Sequence, residues 1–382
     1  LTAGNPNVQV PEIVPAERKY VQTDLFSPLN VGTLQLPNRL VMAPLTRVRS
    51  GADGIPGPLV AEHYRQRATL GLIVSEGTYP SREGQGFSGQ PGLVTPEQLA
   101  GWRRVTDAVH EAGGRIFAQV MHAGRVSHPE INGGFQTVAP SAVAIDGVIR
   151  TPAGKLPHAQ PRELGELELD EMRDIFVRGA IAAVEAGFDG VELHGANGYL
   201  LHEFLSPASN RRTDGYGGSP QARARFVVEV VTAVAAAIGA DRVGLRISPE
   251  HNIQDAWEKD SEQTLATYGA LVDEIAPLEL AYLSILHNNP AGELVQELRR
   301  RFGSPVMLNT GFAVVTTREE AAGLLEKDLC DAVAVGRPAI ANPDLVRRWN
   351  EGLPLNAPDA STFYSDGAEG YTDYPEYAGT PA

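Results

Sequence analysis

The sequence predicts a (β/α)8 barrel of the TIM type, on three observations. Short β-branched runs flanked by Gly or Pro alternate with longer amphipathic stretches, and the pair recurs eight times over about 310 residues. No Gly-x-Gly-x-x-Gly follows an early strand, which disfavours the doubly wound alternative. The 40 Gly and 28 Pro supply the many tight turns such a rhythm needs.

In chain order, residues 1–23 read as an extended tail: 1–16 carry prolines at 6, 11 and 15 and lack the basic start and apolar run of a signal peptide. Residues 24–382 read as a single barrel domain. Phe26 to Asn38 holds two short runs, Phe26 to Leu29 and Thr33 to Leu36, around Asn30-Val31-Gly32, as expected of a β-hairpin plugging the barrel floor. The eight strands are expected at Arg39 to Leu45, Leu72 to Thr78, Arg115 to His122, Gly190 to His194, Val243 to Ser248, Ala281 to Leu286, Pro305 to Gly311 and Ala332 to Arg337. The helices are expected at Leu59 to Thr69, Pro96 to Ala112, Leu169 to Ala186, Pro220 to Ile238, Ser261 to Ile275, Gly292 to Phe302, Thr317 to Glu326 and Pro343 to Glu351. Residues 123–168 form a long insertion after the third strand, expected as a lid over the active face, and 352–382 a C-terminal extension.

Composition narrows the function. With 47 acidic against 32 basic residues the chain carries −15, so nucleic acid and membrane surfaces are poor partners. One cysteine, Cys330, excludes a disulfide scaffold, an iron–sulfur cluster and a thiolate zinc site, and makes a reducing cytoplasm the expected location. The longest apolar stretch, Phe226 to Ala240, is interrupted by Glu229 and too short to span a bilayer.

In barrels the site lies at the C-terminal ends of the strands. None of the four lysines falls there, which removes Schiff-base chemistry. The first strand ends without His-x-His and the His122/His128 spacing fits no helical ligand pair, so no metal site is expected. Glu76 ends the second strand, but no second strand-end carboxylate accompanies it for glycosidase chemistry. What remains is donor-rich: Gln119, the run His194-Gly195-Ala196-Asn197-Gly198-Tyr199, and Arg246. Period-two alternation points Arg246 into the barrel, where it needs an anion or a strong acceptor, and Glu192 on the same parity is one. Asn309-Thr310-Gly311-Phe312 and Gly336-Arg337 end the last two strands, where barrels often bind phosphate. These features call for a phosphate-bearing cofactor with a ring system over the barrel mouth. His122, His128, His251 and Cys330 read as structural or surface residues, and His202 as a support for the fourth strand's loop. Tyr371, Tyr374 and Tyr377 read as a packed tail or an interface patch.

Asn38-Arg39, Met42 to Arg47, His194 to His202, Ser206-Pro207, Asn210, Arg212 to Asp214, Tyr216 to Gly218, Gly336-Arg337, Ala341 to Leu345 and Gly370 to Pro375 occur in order along the chain. In these motifs the sequence resembles the Old Yellow Enzyme family of FMN-dependent NAD(P)H ene-reductases, from about Leu25 to Tyr377. The resemblance implies an FMN cofactor reduced by NADPH or NADH. It also implies reduction of α,β-unsaturated carbonyl or nitro substrates, and of nitrate esters, by hydride transfer from flavin N5. Pro44, Leu45, Thr46, Gly77 and Gln119 would line the flavin ring, Arg246 would face its N1 side, and Gly311, Phe312, Gly336 and Arg337 would hold the phosphate. His194 and Asn197 would bind the substrate oxygen, and Tyr199 would give the proton. Phe87, Met121 and Tyr364 would form substrate walls. Met121 stands where many members carry a bulky aromatic, implying a wider pocket, and Pro338-Ala339 replaces a more usual polar-aromatic pair. A monomer or homodimer is expected, and an FMN-binding barrel with a sensing or other non-reductase role is the alternative.

Overall fold

The computed structural model describes residues 24–311 and 314–379; the expected tail over 1–23 and the cofactor candidate Phe312 lie outside the described residues. In chain order the strands are β1 (Leu29–Val31), β2 (Leu34–Leu36), β3 (Leu40–Met42), β4 (Leu72–Val74), β5 (Ile116–Val120), β6 (Val138–Ala139), β7 (Val148–Thr151), β8 (Gly154–Pro157), β9 (Arg162–Glu163), β10 (Gly190–Gly195), β11 (Val243–Ile247), β12 (Tyr282–Leu286), β13 (Val306–Asn309) and β14 (Ala332–Val335). Eight of them, β3 to β5 and β10 to β14, close in sequence order into a parallel barrel, and the (β/α)8 expectation holds. All the expected strands but the fourth and sixth overrun at their C-terminal ends, the second most of all, since it is expected to run to Thr78 and ends at Val74. Ladder pairing stops at Met42, Asn309 and Val335, because the chain leaves the sheet there to build the mouth.

Six of the eight expected helices begin within one residue of their expected starts, while the one expected from Leu169 begins at Glu166, after Gly165. Thr95 and Gln98 form a reciprocal capping box at Pro96–Glu111, Ser219 caps Pro220–Ile238, and Asp260 accepts two backbone N–H groups at Ser261–Ile275. Their apolar faces and the outward residues of the strands, such as Val191, Leu193, Leu245 and Ile285, form the main core between sheet and helix ring. After β14 the chain forms Arg337–Ala341 and then Leu345–Glu351, in place of the single helix expected from Pro343.

The hairpin is present but shifted. Leu29–Val31 pairs antiparallel with Leu34–Leu36, so Asn30 and Val31, expected in the turn, belong to the first strand, while Gly32, in the left-handed region at φ +54, stays in the turn as expected. Val31 and Leu36 are fully buried with Val41, Leu72, Val74, Phe117, Tyr282, Met307, Ala332 and Ala334, so the hairpin stoppers an apolar barrel floor. The 123–168 insertion is organised by a β7–β8 hairpin and a short β6–β9 pair. Its Val126 and Ile145 pack with Met121 and Tyr199. Among the described residues no helix is long and apolar enough to cross a membrane.

Candidate active site

Above the apolar floor the barrel interior turns polar. Glu192 lies level with Gln119 on one side and Gly244 on the other, and one step up His194 pairs with Arg246 and Arg246 with Ser284. Glu192 accepts from Gln119 Nε2 at 2.8 Å and from Tyr282 Oη at 3.0 Å. Tyr282 reaches it because residue 244 is glycine: a Cβ there would stand 2.4 Å from the Tyr282 ring. Arg246 donates to Ser284 Oγ at 3.1 Å, and its Nε has no protein partner among the described residues. Arg246 and Glu192 attract each other without a direct ion pair among the described residues. Burial lowers the guanidinium from its ordinary value while Glu192 and then Tyr282 oppose that shift. Burial raises the Glu192 carboxyl, with Arg246 opposing. The inward parity expected of Arg246 is what the structure has, and Glu192 is already engaged by two donors.

This layer is the base of a cavity of about 440 Å³, a size ordinary for cofactor and ligand pockets. Pro44, Leu45, Thr46, Phe87, Gln119, Met121, His194, Asn197, Tyr199, Arg246, Gly311, Gly336, Arg337 and Tyr364 all line it, so sequence candidates from six strand ends, the loop after β4 and the C-terminal extension meet there. Gly77 does not line it but lies beside it, where a Cβ would come within 2.7 Å of Met121 Sδ. Ala43, Arg47, Ile253, Val314, Thr316, Ile340 and Phe363 also line the cavity and were not singled out from sequence. Asn309, noted only as a strand end, joins them and donates to Ala334 O at 2.9 Å.

Two neutral donors and a phenol converge on one wall. Burial, and then the Arg246 charge, holds the His194 ring well below the usual imidazole range, so it is uncharged at neutral pH. Its Nδ1 and Asn197 Oδ1 are buried without a protein partner among the described residues, a cost a native site bears where a ligand supplies the bond. Tyr199 is 8% exposed, its ring 5.0 Å from that of His194 and edge-on to Phe87 at 6.4 Å. Burial raises its phenol above the ordinary value, so it stays protonated.

At the other end of the cavity, Gly311 has φ +117 with open space around it, and Gly336 opens the turn into Arg337. The exposed Arg337 guanidinium has no hydrogen bond or ion pair among the described residues, which suits a site for an anion. The orphaned Arg246 Nε at the base of the cavity, with a cation at the far rim, fits an elongated ring-and-phosphate cofactor such as FMN.

A strap formed by residues 362–371 closes one side. Arg47 donates to Phe363 O at 3.1 Å and Gly370 O at 2.8 Å. Arg49 donates to Gly367 O and Thr362 O, both at 2.9 Å, and lies over the Tyr371 ring at 4.2 Å. Tyr371 is buried and stacks on His63 with centroids 4.0 Å apart, Tyr374 accepts from the Asp359 N–H, and Tyr377 lies under Arg348. The tail tyrosines therefore pack onto the body of the protein. Glu76 is spent on structure, accepting the Arg47 and Val48 N–H groups. Among the described residues no cluster of His, Cys, Asp and Glu could hold a metal.

A closed barrel, a polar layer above its apolar floor and a donor-lined mouth together suit an oxidoreductase that works through a ring cofactor. The chain belongs to the NADH:flavin oxidoreductase / NADH oxidase family, whose model matches residues 24–356, and so to the Old Yellow Enzymes: FMN-dependent, NAD(P)H-using flavin oxidoreductases. It is 41% identical over 362 residues to a probable flavin mononucleotide-dependent alkene reductase of Leishmania infantum, covering 92% of this chain and 97% of that protein. It is 39% identical over 394 residues to 12-oxophytodienoate reductase 7 of Oryza sativa subsp. japonica, covering 96% and 98%. Among solved structures, the Old Yellow Enzyme homologue of Zymomonas mobilis superposes with TM-score 0.87 at 39% identity, covering 92% of this chain and 99% of that one. Morphinone reductase superposes with TM-score 0.86 at 42% identity, covering 94% and 98%.

Proposed function

We propose that this protein reduces the activated carbon–carbon double bond of enones and nitroalkenes, and accepts nitrate esters, with NADPH or NADH as electron donor and one FMN per chain. The observation that supports this best is the meeting of His194, Asn197 and Tyr199 on one wall of the cavity above Arg246. When bound, FMN would supply hydride chemistry, taking a hydride from the nicotinamide and delivering it to the alkene β-carbon.

His194 and Asn197 would donate hydrogen bonds to the substrate's carbonyl or nitro oxygen. The uncharged imidazole polarises that oxygen as negative charge develops on it, without the repulsion a cation would meet from Arg246. Tyr199 would hold a proton for the α-carbon, since its phenol cannot ionise cheaply where it is buried. Arg246, oriented by Ser284, would keep a positive charge against the cofactor ring, beside Gln119 and Thr46. Pro44, Leu45 and Gly77 would bound the ring, while Gly311, Phe312, Gly336 and Arg337 would take the phosphate. Phe87, Met121 and Tyr364 would shape the substrate space, Tyr364 from the strap, where it is 65% exposed.

The test is to denature the purified protein, identify the released chromophore, and follow NADPH and NADH oxidation with 2-cyclohexenone. FMN with enone-dependent turnover is expected. Release of FAD, or FMN without turnover, would overturn the reading.

A further inference from the structure

Asn197 adopts φ +58 and Gly198 φ +79, an uncommon pair immediately beyond β10. A non-glycine residue persists there only when its surroundings over-determine it. Two hydrogen bonds do so. The Asn197 N–H donates to Ser248 Oγ at 2.8 Å, and the Gly198 N–H donates to His202 Nδ1 at 2.8 Å. Because Nδ1 accepts, the imidazole proton sits on Nε2, which donates to Glu258 Oε1 at 3.2 Å. The same carboxylate accepts from Tyr268 Oη at 2.9 Å and from the Glu250 N–H at 2.7 Å, while the Glu258 N–H donates to Asn252 Oδ1 at 2.6 Å. His202, Glu258 and Tyr268 are buried.

Glu250, Asn252, Gln254 and Asp255 are themselves in the left-handed region, in the loop that brings Ile253 to the cavity. One buried carboxylate thus ties together the left-handed loops that follow the adjacent strands β10 and β11, and reaches the donor wall through a single imidazole. Neither His202 nor Glu258 lines the cavity.

We propose that His202 and Glu258 are positioning residues, holding the Asn197-Gly198 turn in the conformation from which Asn197 meets the substrate oxygen. The kinetic consequence rests on the alkene-reductase reading; the structural one does not. A side-chain amide at 202 can offer its oxygen near the place of Nδ1, so His202→Asn should preserve what His202→Leu removes.

The experiment uses FMN-loaded parent, His202→Leu, His202→Asn and Glu258→Gln. It reads the Asn197 φ in crystal structures, affinity for the phenol 4-hydroxybenzaldehyde from the flavin absorbance, and the two half-reactions separately by stopped flow. His202→Leu should move Asn197 out of the left-handed region. It should also lose about 10-fold in phenol affinity and in reoxidation by 2-cyclohexenone, with reduction by the nicotinamide within about 2-fold of parent. His202→Asn should recover most of both losses, and Glu258→Gln should fall between. A His202→Leu protein that keeps Asn197 in place with parental affinity would overturn the proposal. So would equal losses in both half-reactions and in flavin content, the mark of a merely structural role. If His202→Leu does not fold, parental values in Glu258→Gln would overturn it instead. A parent that neither binds the phenol nor reduces the enone would count against the reductase reading, while the Asn197 φ still decides the positioning claim.

Discussion

Tyr199 is enclosed by the His194 and Phe87 rings, with no protein partner for its hydroxyl among the described residues, and burial makes its phenolate costly. The phenol form is therefore retained above the ordinary tyrosine range, and proton donation by Tyr199 should not decline as pH rises from 6 to 9. Tyr199→Phe should sharply slow reoxidation by simple enones, whose enolate needs a proton at once, yet still pass hydride to nitroalkenes, whose nitronate is stable. Stopped-flow reoxidation with each substrate class, and detection of released nitronate, checks this; parental enone rates in the variant would place the proton elsewhere. His194→Ala and Asn197→Ala should each cost about 10²-fold in enone reduction, and the double variant less than the product, because both donors serve one oxygen. Full multiplicativity would mean they act on different atoms. At this scale the sequence reveals what alternation reveals: Arg246 must point inward because Gly244 and Ser248 share its parity. It conceals Ser284 as the arginine's partner, since that depends on stagger between neighbouring strands, and it conceals Ile253, which reaches the cavity on a loop with no periodicity.

The strap and the insertion are the elements that shape the mouth. Two arginines just beyond β3 hold the strap almost wholly through backbone carbonyls, so its path depends on the fork geometry of guanidinium more than on strap side chains. Arg49→Ala should raise KM for bulky enones several-fold with kcat and flavin content little changed, and expose 363–370 to proteolysis. An unchanged KM together with an unchanged cleavage pattern would show that the strap holds itself. The insertion is pinned by Glu203, which accepts the Arg125 N–H at 2.9 Å and whose carboxyl burial pushes up to about 8. A folded-state value above the unfolded one means the fold favours the protonated form. That stability is complete below the unfolded value and is lost as pH climbs through about 8. Glu203→Gln, which cannot ionise, should therefore gain in Tm over the parent between pH 5 and pH 9; parallel curves would show that Glu203 ionises freely. Barrel strands and capped helices were legible because each carries its own period and stop signals. The hairpin's register and the small sheets of the insertion were not, since runs of two to four residues have too little period to fix a boundary.

For the molecule as a whole, the eightfold alternation and the ordered motifs make both the barrel and the family readable in the sequence. The layering inside the barrel needed the closed register. Binding to the folded state alone should couple cofactor to stability: FMN at about a hundred times its Kd should add about 2.7 kcal/mol to the apoprotein. Arg337→Ala should reduce that gain and release flavin on dilution. Equal thermal protection of parent and variant by FMN would remove Arg337 from the phosphate site. The hairpin that stoppers the apolar floor has a kinetic consequence as well. It closes the floor beneath the cavity and leaves the strand ends as the way in, so on the proposed reading nicotinamide and alkene would share one entrance to the cofactor. They should take turns: double-reciprocal plots at several fixed donor concentrations should be parallel, and each substrate in excess should inhibit competitively against the other.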